Sequence, residues 1–203
     1  LKRNREKANI AANHLLSLIN DVLDMSKIEE GELVLSHEPF NVIEQGREIM
    51  TIIGMQAQEQ GLTTVMEIEP EVYENPYIYG SPLHLIRAMM NIYSNCIKYN
   101  KENGEIRTHV RLLHSDKKIL TYQWTISDTG IGISEDYLSR IFEPFTQEGT
   151  DVRSVYQGTS LEMSIAKALF EQMGGNLEVF SKLGEGSTFV ITLPFERAQE
   201  LKT

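Results

Sequence analysis

The sequence predicts an α+β protein, a two-layer sandwich in which helices cover one face of a mixed, mostly antiparallel sheet, preceded by one long N-terminal helix. Three observations support this fold class. Segments with a two-residue apolar period alternate with segments of helical period. Two pairs of strand-like segments are separated by short turns, which is typical of hairpins. Hydrophobic residues make up 41% of the 203 residues and charged residues 24%, which is ordinary globular usage.

Residues 1–30 are predicted to form one helix that ends at Gly31. Its apolar side chains recur every three or four residues and form a narrow stripe, made by Leu15, Leu18, Ile19, Val22, Met25 and Ile28. Such a stripe is typical of a coiled-coil or bundle seam, which a single helix cannot bury alone. We expect a partner helix from elsewhere in the protein or from another chain. The alternative is that the helix lies on its own domain.

The remaining elements follow from capping and turn residues. Asn41 is suited to cap a helix, and Ser81-Pro82 combines a capping serine with a proline at the first helical position. The predicted elements are a strand or linker over 32–40, a helix from Asn41 to Gly61, a strand over 62–68, a loop with Pro70, Asn75 and Pro76, a helix from Ser81 to about Tyr99, strands over 106–112 and 120–127, helices over 134–141 and 160–173, and strands over 176–182 and 187–193.

Composition excludes several classes of protein. The formal net charge of -10 makes nucleic acid a poor partner. The single cysteine, Cys96, excludes an intrachain disulfide and is interpreted as a small buried residue. No apolar run approaches the roughly 20 residues of a membrane span. We therefore expect a soluble, cytoplasmic fragment of a longer protein, whose full length could carry a membrane anchor elsewhere.

Polar residues line one face of the predicted helix before Tyr99. Asn91, Asn95 and Lys98 are spaced by four and three residues, with Tyr99 at the edge of the same face. Amide oxygens suit Mg²⁺ and an ammonium group suits phosphate, so this face predicts a metal–phosphate site. The alternative is a solvated polar stripe.

A second polar segment follows the predicted strand over 120–127. Asp128 at the strand end suits recognition of a base amine, and Gly130 and Gly132 allow the backbone to lie close behind it. Thr188, on a late strand, is predicted to reach the same base site. A long polar loop over 143–158 comes next, and loops of this length are usually functional or disordered.

The order of these segments resembles the catalytic, ATP-binding domain of bacterial sensor histidine kinases, within the GHKL group that includes gyrase, MutL and the pyruvate dehydrogenase kinases. Asn91–Tyr99 resembles the N box, Asp128–Ile133 the first glycine box and Phe142–Phe145 the F box. Leu15–Ile28 resembles the second helix of the dimerisation and histidine-phosphotransfer bundle. The resemblance covers about residues 1–195. It implies the Bergerat-type fold, with ATP and Mg²⁺ as cofactors.

The resemblance also implies roles for single residues. Asn95 would hold Mg²⁺, Lys98 would touch phosphate, Tyr99 would pack near the adenine, and Asp128 would accept a hydrogen bond from the adenine amine. Asn91 occupies the position where the ATPases of the group carry a glutamate base. Because an amide cannot take a proton from water, a water-hydrolysing ATPase is disfavoured.

The implied division of the chain is a partial bundle helix over 1–31, a linker over 32–40, a catalytic ATP-binding domain over 41–197 and a tail over 198–203. The implied partners are ATP or ADP, a response regulator or receiver domain, and a second copy joined through the N-terminal helix. The phospho-acceptor histidine of such kinases lies on the first bundle helix. His14 lies on the second and does not match it, so the acceptor is absent from this chain.

A second departure concerns the glycines that close the nucleotide site. Where the family usually has Gly-x-Gly-x-Gly, the chain has Gly158 followed by Ser160 and Glu162. The Glu162 carboxylate would repel a triphosphate, and Thr159 with Glu162 fits a capping box that fills the helix end. We predict weak or absent nucleotide binding. The alternative is that the lid reaches the phosphates through Arg153, Gln157 and Gly158.

Two functions therefore stay open. One is the catalytic fragment of a histidine kinase that transfers the γ-phosphoryl group to a histidine outside this chain. The other is a nucleotide-poor signalling or scaffold module, similar to a pseudokinase, that acts by dimerisation and partner docking. The sequence leaves open whether the chain itself is an active enzyme.

Overall fold

A computed structural model describes residues 2–146 and 161–199 of the chain. The described helices are α1 (Lys2–Glu29), α2 (Val42–Glu59), α3 (Pro70–Glu74), α4 (Pro82–Lys98), α5 (Glu135–Leu138) and α6 (Glu162–Gln172). The described strands are β1 (Glu38–Asn41), β2 (Thr63–Ile68), β3 (Tyr77–Gly80), β4 (Glu105–Ser115), β5 (Ile119–Asp128), β6 (Asn176–Lys182) and β7 (Gly186–Arg197).

The seven strands form one sheet in the order β1-β3-β7-β5-β4-β2, and β6 also pairs with β7. Strands β2 and β4 are parallel, and the other pairs are antiparallel. Strand β7 pairs with β5 along one edge, and with β6 and then β3 along the other. The α+β class and the mixed, mostly antiparallel sheet predicted from the sequence are confirmed.

Alternation along the strands gives the sheet one apolar face. On β5 the side chains of Leu120, Tyr122, Trp124 and Ile126 are buried, whereas the intervening residues are half-buried. Helix α4 packs on this core and contacts both α2 and α6. Full burial of each large apolar side chain stabilises the fold by about 1.5–3 kcal/mol. This core fixes α4 beside the end of β5, where the candidate site lies.

Helix α1 contacts α6, and residues near its C-terminal end pack on the domain. Met25 and Ile28 pack against the core, and Arg87 of α4 forms ion pairs with Asp24 and, at 3.6 Å, with Asp21. Of the other residues of the predicted seam, Leu15, Ile19 and Val22 are exposed to solvent at 58%, 47% and 49%. The helix ends before Gly31, whose φ of +69° is left-handed as a helix-terminating glycine requires.

One local prediction is wrong. The segment with Pro70, Asn75 and Pro76 is not a plain loop, since it contains α3 and β3, and β3 pairs with both β1 and β7. The predicted start of α4 is confirmed, because Ser81 is its N-cap and Pro82 its first residue, although the Ser81 hydroxyl contacts His84 Nδ1 at 2.7 Å and makes no capping hydrogen bond. The predicted cap of α2 is confirmed as well, because Asn41 Oδ1 accepts a hydrogen bond from the N–H of Ile43 at 2.9 Å.

Candidate functional site

Asp128 ends β5, and backbone donors from two segments hold its carboxylate. Its Oδ1 accepts a hydrogen bond from the N–H of Gly130 at 2.8 Å and another from the N–H of Ser187 at 3.3 Å. Hydrogen bonds to an ionised acceptor are roughly twice as strong as neutral ones. The carboxylate is therefore held in one orientation by the loop that follows β5 and by the start of β7.

The loop after β5 packs against two other segments, and at its two glycines there is no space for a side chain. A Cβ at Gly130 would lie 2.3 Å from the carbonyl oxygen of Tyr99, and one at Gly132 would lie 2.1 Å from that of Lys182. The Ile131 N–H donates to the same Tyr99 carbonyl at 3.0 Å. The glycines predicted from the sequence thus allow the loop to lie directly on the end of α4.

The two asparagines of α4 use their amide nitrogens inside the protein. Asn91 Nδ2 donates to the carbonyl oxygen of Glu162 at 3.0 Å and so links α4 to α6. Asn95 Nδ2 donates to the carbonyl oxygen of Asn91 at 3.1 Å. This arrangement leaves the amide oxygen of Asn95 as the atom suited to bind a hard cation.

A cleft of about 300 Å³, open solvent included, lies between α4 and the ends of β5 and β7. Of the predicted site residues, Asn95, Tyr99, Asp128 and Gly132 line it. Gly130 adjoins it through its hydrogen bond to Asp128. The complete lining is Asn95, Tyr99, Asp128, Gly132, Ile133, Ser187 and Phe189.

Three predicted residues lie outside this cleft, and the first is Asn91, whose amide faces α6 and donates to the Glu162 carbonyl. Lys98 lies beside the cleft, with Nζ 5.2 Å from the centroid of the Tyr99 ring, and lines a groove between the ends of α2 and α4. Thr188 lies on the opposite face of the sheet, where its hydroxyl is 2.9 Å from that of Ser127.

Ser187 is the cleft residue that sequence reasoning missed. The register of the sheet pairs Ser187 with Asp128 and Thr188 with Ser127. Because side chains alternate along a strand, Ser187 shares the face of Asp128 and Thr188 does not. Only 7% of Ser187 is exposed. The apolar alternation of Phe189, Ile191 and Leu193 was the signal in the sequence that could have identified it.

Cys96 lies behind the cleft on α4 and is 1% exposed. Burial raises the pKa of the Cys96 thiol well above its ordinary value, and the adjacent Asp128 carboxylate, to which the thiol donates, raises it further. A thiol in this state is a poor nucleophile. The interpretation of Cys96 as a small buried residue is confirmed.

Glu162 is the first residue of α6, and Leu161 is the N-cap. The predicted capping box required Thr159 as the N-cap and is therefore wrong in register. The Glu162 carboxylate nevertheless belongs to the first turn, where helical N–H groups lack intrahelical partners and the helix dipole is positive. The predictions for Arg153, Gly158 and Ser160 fall outside the described residues, as does residue 159.

Comparison with known proteins assigns the class. Residues 80–197 match the family described as histidine kinase-, DNA gyrase B- and HSP90-like ATPases. This match spans more than half of the chain, and the chain belongs to that family. Within this family, the chain is similar to the catalytic domains of sensor histidine kinases.

Three relatives illustrate the similarity. The signal transduction histidine-protein kinase BarA of Escherichia coli is 38% identical over 181 residues, which are 88% of this chain and 19% of BarA. The sensor protein GacS of Pseudomonas syringae is 37% identical over 194 residues, 95% of this chain and 21% of GacS. The autoinducer 2 sensor kinase/phosphatase LuxQ of Vibrio parahaemolyticus is 35% identical over 187 residues, 91% of this chain and 21% of LuxQ. The chain thus spans about a fifth of these proteins.

Solved structures agree with the fold. Full-length ShkA in complex with AMPPNP superposes with a TM-score of 0.79 at 27% identity, covering 97% of this chain and 39% of ShkA. The Acinetobacter baumannii histidine kinase AdeS superposes with a TM-score of 0.69 at 16% identity, covering 95% of this chain and 84% of AdeS, which shows the fold alone. None of the described helices is both long and apolar enough to cross a membrane.

Proposed function

We propose that the chain is the nucleotide-binding part of a two-component sensor histidine kinase, and that Ser160 and Glu162 weaken its affinity for ATP. In such a kinase, the γ-phosphoryl group moves from ATP to a histidine nitrogen, and ADP leaves. The phosphohistidine then supplies a response regulator or receiver domain. The observation that carries the proposal is the position of Glu162 in the first turn of α6, next to the polar face of α4.

The donor set of the cleft fits ATP and Mg²⁺. Asp128 would accept a hydrogen bond from the adenine amine, since its carboxylate is held in place by two N–H groups. Tyr99 would pack near the base, and the Asn95 amide oxygen would hold Mg²⁺. Lys98 would reach a phosphate from the edge of the cleft. The ShkA structure, which contains AMPPNP, supports a nucleotide in this fold.

Phosphoryl transfer suits the site better than ATP hydrolysis. A hydrolase needs a base that takes a proton from water, and Asn91 cannot do this. Its amide instead donates to the carbonyl of Glu162. The accepting histidine would come from a bundle helix outside this chain.

Electrostatics at the start of α6 supports weakened binding. An N-terminal helix turn normally favours an anion such as phosphate, but here the first helical residue is itself an anion. Two unit charges about 4 Å apart repel by about 1 kcal/mol in water and about 4 kcal/mol at the effective dielectric constant of a protein surface. A repulsion in this range reduces affinity by about 5-fold to 1,000-fold.

Removing the charge alone tests this explanation. We expect Glu162→Gln, titrated with Mg²⁺–ATP by calorimetry, to bind at least about fivefold more tightly than the wild-type chain, and this gain to shrink as salt screens the repulsion. Glu171→Gln is the matched control because Glu171 lies at the other end of the same helix. Its affinity should equal that of the wild type. No gain in Glu162→Gln would refute the charge explanation.

The exposed stripe of α1 favours a second role in assembly. Leu15, Ile19 and Val22 are each about half exposed, although their spacing is that of a helical seam. We infer that a second copy covers them in the full-length protein. If nucleotide binding is lost altogether, the chain would act as a signalling scaffold through this pairing. Solution mass should rise with concentration, and Ile19→Glu should hold the chain as a monomer. A wild-type monomer at high concentration would contradict self-pairing.

A further inference from the structure

Beside Asp128, a cluster of hydrogen bonds joins three segments of the protein. Ser181 Oγ of β6 donates to the carbonyl oxygen of Gly186 at 2.8 Å and lies 2.9 Å from Ser187 Oγ. The N–H of Ile133, just after the glycine loop, donates to the same Ser181 oxygen at 2.9 Å. One hydroxyl thus meets three partners at the edge of the cleft.

The hydrogen count of this cluster determines the direction of each bond. A serine hydroxyl has one hydrogen and two lone pairs. The Gly186 carbonyl can only accept, so it receives the one hydrogen of Ser181. The Ile133 N–H can only donate, so it fills one lone pair of Ser181. The remaining contact is therefore donated by the Ser187 hydroxyl to the second lone pair of Ser181.

This direction decides what Ser187 presents to a ligand. With its hydrogen given to Ser181, the Ser187 hydroxyl has only lone pairs to offer the cleft, which it lines together with Asp128. The ionised Asp128 carboxylate is also an acceptor. The N–H groups of Gly130 and Ser187 already donate to its Oδ1. This end of the cleft therefore suits a base edge that donates hydrogen bonds.

We propose that Ser181 is a positioning residue that sets base specificity, because it takes the Ser187 hydrogen and so makes the cleft prefer a purine with a 6-amine over one with a 6-carbonyl. This role rests on the proposed contact between Asp128 and the base. A 6-carbonyl would face two acceptors without a hydrogen between them, and unsatisfied buried polar groups are strongly unfavourable. Without Ser181, the Ser187 hydroxyl can rotate and donate to that carbonyl.

Adenosine and inosine provide the test, since adenosine has a 6-amine and a lone pair on N1, inosine has a 6-carbonyl and a hydrogen on N1, and neither carries a phosphate for Glu162 to repel. Affinities are measured on the full chain by NMR chemical-shift titration. We expect wild type to bind adenosine at least about tenfold more tightly than inosine. Ser181→Ala should lower this ratio to about threefold or less. Ser181→Thr keeps a hydroxyl and should restore it. The ratio is the readout, because a loosened loop would weaken both nucleosides alike.

Three further variants complete the test. Ser127→Ala removes a hydroxyl from the opposite face of the same part of the sheet and should leave the ratio unchanged. Ser187→Ala removes the lone pairs themselves and should lower the ratio, even if Ser181→Ala does not fold. The ratio of adenosine to inosine affinity is compared in Ser181→Ala and Ser187→Ala, as far as these variants fold. If the ratio is unchanged in them, the role of Ser181 is overturned and Asp128 remains the base contact. Wild-type adenosine binding that is absent, or that survives Asp128→Asn, overturns the base contact and the role of Ser181 with it.

Discussion

Substitution of Gly132 by alanine is expected to destabilise the fold by about 2–5 kcal/mol, against about 1–2 kcal/mol for alanine at Gly184. Both glycines have left-handed backbone angles, with φ of +71° and +85°. The left-handed conformation costs an L-residue about 1–2 kcal/mol at either site. The surroundings differ, because a Cβ at Gly184 has nothing within 4 Å, whereas one at Gly132 would lie 2.1 Å from the Lys182 carbonyl oxygen.

Relief of this overlap requires the turn between β6 and β7 to move away from the glycine loop. The movement would break the hydrogen bond from the Gly184 N–H to the Ile131 carbonyl at 2.7 Å, and that from the Ile133 N–H to Ser181 at 2.9 Å. Each bond contributes about 0.5–1.5 kcal/mol. Added to the left-handed penalty, these losses give the expected total, a large fraction of the stability of a small domain.

Urea unfolding followed by the fluorescence of Trp124, which is buried, measures both variants under the same conditions. Gly184→Ala is the control, since it carries the backbone penalty without the overlap. Equal losses in the two variants would refute the close contact at Gly132. The expected result is a loss in Gly132→Ala that exceeds the loss in Gly184→Ala by about 1–3 kcal/mol, the contribution of the two broken hydrogen bonds, accompanied by weaker nucleoside binding.

Three further predictions concern stability and reactivity. Tyr93→Phe and Thr108→Val should each lower the free energy of unfolding by about 1–2 kcal/mol, because either leaves one buried hydroxyl of a 2.7 Å pair without its partner. The double variant should lose about 1 kcal/mol less than the sum of the two, and additive losses in urea unfolding would contradict this. Cys96 should react with a thiol reagent at neutral pH only as fast as the domain opens, since it is buried and its pKa is raised; rapid labelling of the native chain would count against that burial. Hydrogen bonds from His114 and from the N–H groups of Ile119 and Lys118 lower the pKa of Asp116, so its stabilisation is complete above the unfolded pKa of about 3.9 and is lost as the pH falls below it. Asp116→Asn should therefore lose less thermal stability than wild type on acidification to about pH 3, and equal acid sensitivity would show that the turn does not depend on this carboxylate.

Local patterns predicted those parts of the fold whose conformation is set by neighbours in sequence. Asn41 caps α2 because its own side chain reaches the next N–H groups, and Gly31 ends α1 because of its own backbone freedom. Strand β3 has four residues, and its pairing with β1 and the end of β7 decides its state. A pattern of four residues carries too little periodicity to reveal such long-range pairing.

The same distinction holds within the candidate site. Asp128, Gly130 and Gly132 were predictable, because they are close together in the sequence and a tight loop after a strand requires glycine. Sequence reasoning placed Thr188 in the cleft, but Ser187 lines it. Which of the two residues does so depends on the register between β5 and β7, and no short motif contains that register. Helix α6 begins at Glu162 with Leu161 as the N-cap, and at this point the Asn91 amide of α4 donates to the Glu162 carbonyl, a contact between distant segments that a capping motif does not contain.

Restoring the two missing glycines tests the central claim most directly. The measurement is the calorimetric affinity for Mg²⁺–ATP of the wild-type chain and of the Ser160→Gly, Glu162→Gly double variant, with adenosine affinity measured on both. We predict that the double variant binds Mg²⁺–ATP at least about tenfold more tightly, a difference of about 1.4 kcal/mol, while adenosine affinity stays the same. Equal micromolar affinity of both chains for Mg²⁺–ATP would contradict the claim that Ser160 and Glu162 limit nucleotide binding.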